Sequence, residues 1–134
     1  MPDATASKPR TASLSAGSPA TPEASPLILE TAILNVILGA EAEFEAAMTA
    51  ARPLVAATPG FLWIEVRPCI ETPGRYLLLV AWQSLEDHTI GFRQSDRYEP
   101  WRQALHHFYE PFPLVEHYGD SLFAPSKPGR SPRL

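Results

Sequence analysis

The chain has 134 residues, 45% of them apolar, which suits one domain with its own core; no run approaches the roughly 20 apolar residues of a membrane span. Residues 27–123 carry six arginines and no lysine against thirteen acids, a net −7, and this argues against nucleic acid as a partner because phosphate binding needs clustered positive charge. Cys69 is the only cysteine, so an intrachain disulfide and a thiolate metal cluster are excluded and a reducing, cytoplasmic setting is expected.

Residues 1–26 are almost wholly Ala, Ser, Thr and Pro, without the apolar core of a secretory signal. Nothing in them offsets the entropy of ordering, so a disordered tail is expected. Leu27 to Leu38 is rich in branched residues and interrupted only by Glu30, Thr31 and Asn35, the pattern of a strand. Gly39 ends it and opens a helix with Glu41, Glu43 and Glu45 near its positive end. Phe44, Ala47, Met48, Ala51, Leu54 and Val55 then fall on one helical face, with Pro53 expected to kink or interrupt the end. Thr58-Pro59-Gly60 is a stop and turn signal.

Phe61 to Ile70 reads as a second strand with unlike faces. Leu62, Ile64 and Val66 suit packing on helices; Phe61, Trp63, Glu65, Arg67 and Cys69 suit a partly wet cavity, and Pro68 marks an edge strand. Glu71 to Gly74 forms the turn of a hairpin into a third strand, Tyr76 to Trp82. Neither alternating set of that strand is polar, so both faces should be buried. One covering is helical. In a chain this short the other is a second copy, expected on the face of Tyr76, Leu78, Val80 and Trp82. Ser84 to Asp87 is a capping box that starts the next helix. Gly91 and the polar Arg93 to Asp96 break it, and Trp101, Ala104, Leu105 and Phe108 give a last helical stripe before Pro111. Pro113 to Tyr118 closes the domain as a short edge strand, and the basic residues 124–134 form a second tail expected to be disordered.

The order β-α-β-β-α-β predicts an α+β, ferredoxin-like fold. Its four-stranded antiparallel sheet has strands one and three in the centre and two and four at the edges.

Four stretches carry a resemblance: Leu38-Gly39-Ala40-Glu41-Ala42-Glu43-Phe44, Thr58-Pro59-Gly60-Phe61, Ala81-Trp82-Gln83-Ser84 and Phe92-Arg93-Gln94-Ser95. In this order and spacing, over residues 29–119, the chain resembles the antibiotic biosynthesis monooxygenase family of dimeric α+β barrels. The resemblance implies a homodimer whose two sheets pack face to face, with a pocket in each subunit. Some members oxidise quinols or polyketide phenols with O₂ and no cofactor, others open haem, and many have no known activity. Trp82 matches a pocket tryptophan of the haem-degrading relatives. Where those relatives keep an Asn and an axial His, this chain has Ala32 and Arg102.

Trp63 and Trp82 suit the walls of a flat aromatic site, with large core residues as the equal alternative. His117 alternates with Val115 on the last strand and has the ordinary near-neutral pKa of a phenol-deprotonating base; a satisfied edge-strand histidine is the competing reading. His88 and Arg93 are candidates for the pocket mouth, Arg93 as a clamp for an anion with a surface or intersubunit ion pair as the competing reading, and Tyr76 and Tyr118 are candidate hydroxyl donors. His106 and His107 do not share a helical face and make a poor metal pair, with His106 expected opposite Trp101. Three functions follow: a cofactor-independent monooxygenase acting on a small electron-rich aromatic, a non-catalytic dimeric module that binds a small ligand or is structural, and, third, a haem-binding relative.

Overall fold

Alternation along β1 (Ile28–Asn35) decides the layering of the molecule. Glu30, Ala32 and Leu34 are buried, whereas Ile33 between them is 45% exposed, so one face of the sheet is covered and the other is open. The computed structural model describes residues 27–123; the tails expected at 1–26 and 124–134 lie outside the described residues. After β1 come α1 (Glu41–Ala56), β2 (Phe61–Pro68), β3 (Arg75–Trp82), a π-helical turn (Asp87–Phe92), α2 (Tyr98–Leu105), a 3₁₀ turn (His106–Phe108) and β4 (Val115–Tyr118). The sheet is antiparallel with order β2-β3-β1-β4, the expected ferredoxin-like α+β arrangement with the apolar pair in the centre.

The strand pairings define rows across the covered face. Ile64, Val80, Glu30 and His117 make one row and Val66, Leu78, Ala32 and Val115 the next. Phe44 and Met48 of α1 and Trp101 and Leu105 of α2 close over them. Phe44 is fully buried, its ring 4.8 Å from Tyr76 and 5.9 Å from Phe108. The face of Tyr76, Leu78, Val80 and Trp82 is therefore the helix-covered one, which corrects its assignment to a second copy. The open side belongs to Leu77 and Leu79, with Ile33 and Trp63 beside them. An alternation shows that a strand has two apolar faces but carries no label for which one the helices take.

Three local details also depart from expectation. β1 stops at Asn35, three residues short of the apolar run; Val36 still donates to the Gly74 carbonyl in the same register (2.8 Å) and bridges Tyr109. A bulge between Phe61 and Trp63 moves Phe61 to the covered face, 6.0 Å from the Trp82 ring, so Phe61 and Trp63 do not share a side. α1 runs through Pro53 to Ala56, with the proline exposed. A proline near a helix end forfeits one bond there while Ala57 still bonds back to the Pro53 carbonyl (3.1 Å).

Phe44→Ala should destabilise the domain by about 3–5 kcal/mol, read from the midpoint of urea unfolding, because it empties a fully packed site between sheet and helix.

Candidate functional site

Glu30 is a carboxylate in a row of core positions, 7% exposed, and it faces a cavity of about 200 Å³. The cavity lies between the covered face of the sheet and the α2 layer. Its polar lining is Glu30, His88, Arg93, Tyr98, His106 and Tyr109; Ala32, Val80, Trp101 and Val115 supply apolar walls.

The π-helical turn builds the deep end. Ser84 Oγ accepts the Asp87 N–H at 3.1 Å, as the capping box requires. Gly60, at φ +91°, leaves room for the Asp87 side chain, which a Cβ there would strike. From Asp87 the helix widens, the Arg93 N–H reaching back five residues to the His88 carbonyl at 3.0 Å. The wider turn brings Arg93 round towards the side that bears His88 and Phe92, and such turns recur at functional sites. His88 is buried and stacks on Trp82, ring centres 5.3 Å apart and planes 19° apart.

A chain of contacts links the polar groups. Trp82 Nε1–H donates to Glu30 Oε1 at 2.9 Å, and His88 Nε2 lies 3.4 Å from the same oxygen. On its other side His88 Nδ1 is 2.8 Å from His117 Nε2. Burial pushes the Glu30 carboxyl up to about 7, against the opposing pulls of the Trp82 hydrogen bond and the positive charge of Arg93. Burial likewise holds His88 down to about 3, helped by Arg93 and His117. The Glu30–His88 contact is thus between a carboxyl group and a neutral imidazole, not an ion pair. Burial and then Arg93 lower His117 as well. Across the cavity, burial and the neighbouring Tyr98 raise the Tyr109 hydroxyl, which stays a neutral donor. Among the described residues no group of His, Cys, Asp and Glu converges as metal ligands do; His88 lies between Glu30 and His117 and separates them.

The sequence singles out seven residues, and the structure places them differently from one another, with Tyr118 exposed and its hydroxyl donating to Glu116 Oε1 at 3.0 Å. His88 and Arg93 line the cavity. Trp82 lies beneath it, holding Glu30 and backing His88, and His117 meets the cavity through His88. Trp63 sits on the open sheet face, 39% exposed. Tyr76 is at the far end of β3, its hydroxyl donating to Glu45 Oε2 at 2.6 Å. His106 lines the cavity, because α2 ends at Leu105, whose φ of −119° departs from helical winding just before His106 is placed. Arg102, at the place of the relatives' axial histidine, is exposed and paired with Glu99. Glu30, Tyr98 and Tyr109 were not anticipated. For Glu30 a signal existed: it is the one charge in β1, in phase with Ala32 and Leu34. Tyr98 and Tyr109 gave none.

The model of the family described as antibiotic biosynthesis monooxygenase matches residues 28–104. The uncharacterized protein YczJ of Bacillus subtilis (strain 168) is 45% identical over 94 residues, which are 70% of this chain and 99% of that protein. A "putative antibiotic biosynthesis monooxygenase" from Bordetella bronchiseptica superposes with a TM-score of 0.68 at 35% identity, covering 72% of this chain and 98% of its own. SnoaB, a cofactor-independent oxygenase from Streptomyces nogalater, superposes at 0.55 with 19% identity over 73% and 93% of the two chains, a likeness of fold alone.

The two displaced groups act oppositely on stability. Glu30, near 4.5 when unfolded and about 7 when folded, binds its proton more tightly in the native state, so its contribution is present at acid pH and is lost as pH rises from 4.5 to 7. His88, near 6.5 unfolded and about 3 folded, is held neutral by the fold, so its contribution is lost as pH falls through that interval. Glu30→Gln removes only the first slope. Its stability relative to the native chain should therefore rise between pH 4.5 and 7, by roughly 2–3 kcal/mol, in paired chemical denaturation series.

Proposed function

The chain belongs to the antibiotic biosynthesis monooxygenase family, and from that premise we propose that it oxidises a small electron-rich aromatic, a single-ring quinol, with O₂ and without a cofactor. The observation that carries the reading is Glu30, a cavity-facing carboxyl group whose burial poises it near 7. A general base works best when its pKa lies near the operating pH. A cavity of about 200 Å³ holds one substituted ring, given that a cavity of about 150 Å³ takes up benzene and drug-sized ligands need about 300 Å³ or more. That volume favours a quinol over a polyketide phenol of several fused rings.

Glu30 removes a phenolic proton, with Arg93 and the hydroxyls of Tyr98 and Tyr109 as donors to the developing oxyanion. The phenolate passes one electron to O₂, and the semiquinone and superoxide join at a ring carbon. With the proton returned by Glu30, they form a hydroperoxide. Loss of the C–H proton breaks the O–O bond and releases water. Quinol and O₂ become hydroxyquinone and water, with atoms and electrons balanced and no outside reductant. Trp82 Nε1–H stabilises the ionised base, and the apolar walls keep bulk water from the intermediates. His117, expected as the base, stands one imidazole away from the cavity and acts through His88.

The same reading includes a homodimer. The open sheet face presents Ile33, Leu77, Leu79 and Trp63, and a second copy placed there would bury more than about 2,000 Å², the obligate class. Light scattering at micromolar concentration should return twice the chain mass, and Leu79→Arg should return the single mass with the cavity intact. A well-folded native monomer would remove this part of the reading.

In an oxygen-electrode assay over a panel of single-ring quinols, one O₂ should disappear per hydroxyquinone formed. Glu30→Gln should lower kcat by about 10²-fold or more with little change in KM. Trp82→Phe deletes a hydrogen bond to the ionised carboxyl, so the acid limb of the pH–rate profile should move to higher pH. Quinols that bind but draw no O₂ would instead support the non-catalytic ligand module.

A further inference from the structure

We propose that Glu30, His88 and His117 form a proton wire through which the cavity carboxyl exchanges with water at the β4 edge, and that the hydrogen bonds of both imidazoles reverse when Glu30 gains its proton. Each ring nitrogen of His88 faces a partner: Nδ1 is hydrogen-bonded to His117 Nε2 at 2.8 Å, and Nε2 stands 3.4 Å from Glu30 Oε1, a contact that must shorten into a hydrogen bond before a proton passes. A neutral imidazole has one donor and one acceptor, so neither contact is free to choose its direction independently of the other. The surroundings keep His88 neutral: Trp82 and Phe92 flank the ring, and the charge of Arg93 disfavours a cation there.

Two arrangements then satisfy every contact. With Glu30 ionised, its Oε1 accepts from both Trp82 Nε1–H and His88 Nε2–H; His88 Nδ1 must accept from His117 Nε2–H, and His117 Nδ1 is bare. With Glu30 protonated, the carboxyl proton points at a bare His88 Nε2; His88 Nδ1–H donates to His117 Nε2, and His117 carries its proton on Nδ1. One arrangement becomes the other by passing a proton along the row. Water protonates His117 Nδ1, His117 Nε2–H moves to His88 Nδ1, and His88 Nε2–H moves to Glu30. Three bonds to hydrogen form, at His117 Nδ1, His88 Nδ1 and the Glu30 carboxyl; three break, at the protonated water that donates, His117 Nε2 and His88 Nε2; and the net result is one proton taken up by Glu30.

The placement gives this route a purpose, which rests on the function proposed above. Glu30 and His88 line the cavity, so a bound ring cuts them off from water on that side. His117 is half-buried on β4, an edge strand, and among the described residues His88 is its hydrogen-bond partner. The wire sets the charge of Glu30 from outside while the cavity is full. The other ionisable groups around it are Arg93 at the end of the π-helical turn, and Tyr98, His106 and Tyr109 across the cavity from α2 and the segment after it.

The test is ¹⁵N NMR of the histidine-labelled full chain between pH 5.5 and 8.5, which needs no substrate. The bare and protonated ring nitrogens of His88 and His117 should exchange places together, with one midpoint shared with Glu30 followed by its carboxyl ¹³C signal. Glu30→Gln, whose amide can donate to His88 Nε2 at any pH, should lock both rings as Nδ1–H tautomers. Ring tautomers that stay constant in the native chain across this range, or that change at separate midpoints, overturn the wire; the native titration alone suffices if the variant fails to fold. A chain that shows the reversal but oxidises no quinol keeps the wire and loses the function assigned to it.

Discussion

The structure depends on a carboxyl group kept where a hydrophobic side chain would ordinarily sit. Glu30 occupies a core row between Val80 and His117, and an unpaired charge there would be prohibitive. Two things make it tolerable. The Trp82 indole supplies a donor at 2.9 Å, and burial raises the pKa to about 7, so the group is often neutral. A partly satisfied polar cluster in a core is poor for stability but suited to chemistry, since it makes a group ready to take or give a proton near neutral pH. Around this one residue the arrangement of Trp82, His88 and His117 becomes intelligible.

The layers divide the labour of the fold. At one end of the covered face Phe44, Tyr76 and Leu34 pack closely in the core. At that other end the helix layer gives way to a π-helical turn and a 3₁₀ turn, and the cavity opens. Both irregular turns change the angular step of a helix, so residues that regular winding would separate, Arg93 from His88 and His106 from Trp101, come to one space. The open face of the sheet, with Ile33 and Trp63, lies opposite the face that carries the cavity.

Family membership narrows the chemistry without choosing it. The same sheet and helices accommodate proteins with different activities or none established. The particular groups decide: a poised carboxyl, two neutral imidazoles behind it, and tyrosine hydroxyls and a guanidinium across a space about one ring in size. Such a set favours proton removal and oxyanion stabilisation.

Much of the fold was legible in the chain because it follows from local rules. Two-residue alternation, the Thr58-Pro59-Gly60 and Pro73-Gly74 turns and the Ser84–Asp87 cap state the element order, and Pro68 in the second strand and Pro113 just before the fourth mark them as edges. His88 and Arg93 could be named from their place around the capped helix, and Trp82 from its motif. Three things could be decided only in three dimensions. Which apolar face of β3 the helices cover depends on the handed path of the chain over the sheet, a global property to which an alternation is blind. The companions of Glu30, Trp82, His88 and His117, come from three separate elements, 52 to 87 positions away, and only the strand register and the helix layer bring them together. The inward turn of His106 and Arg93 comes from changes of helical pitch set by packing, which a residue count at fixed pitch does not contain.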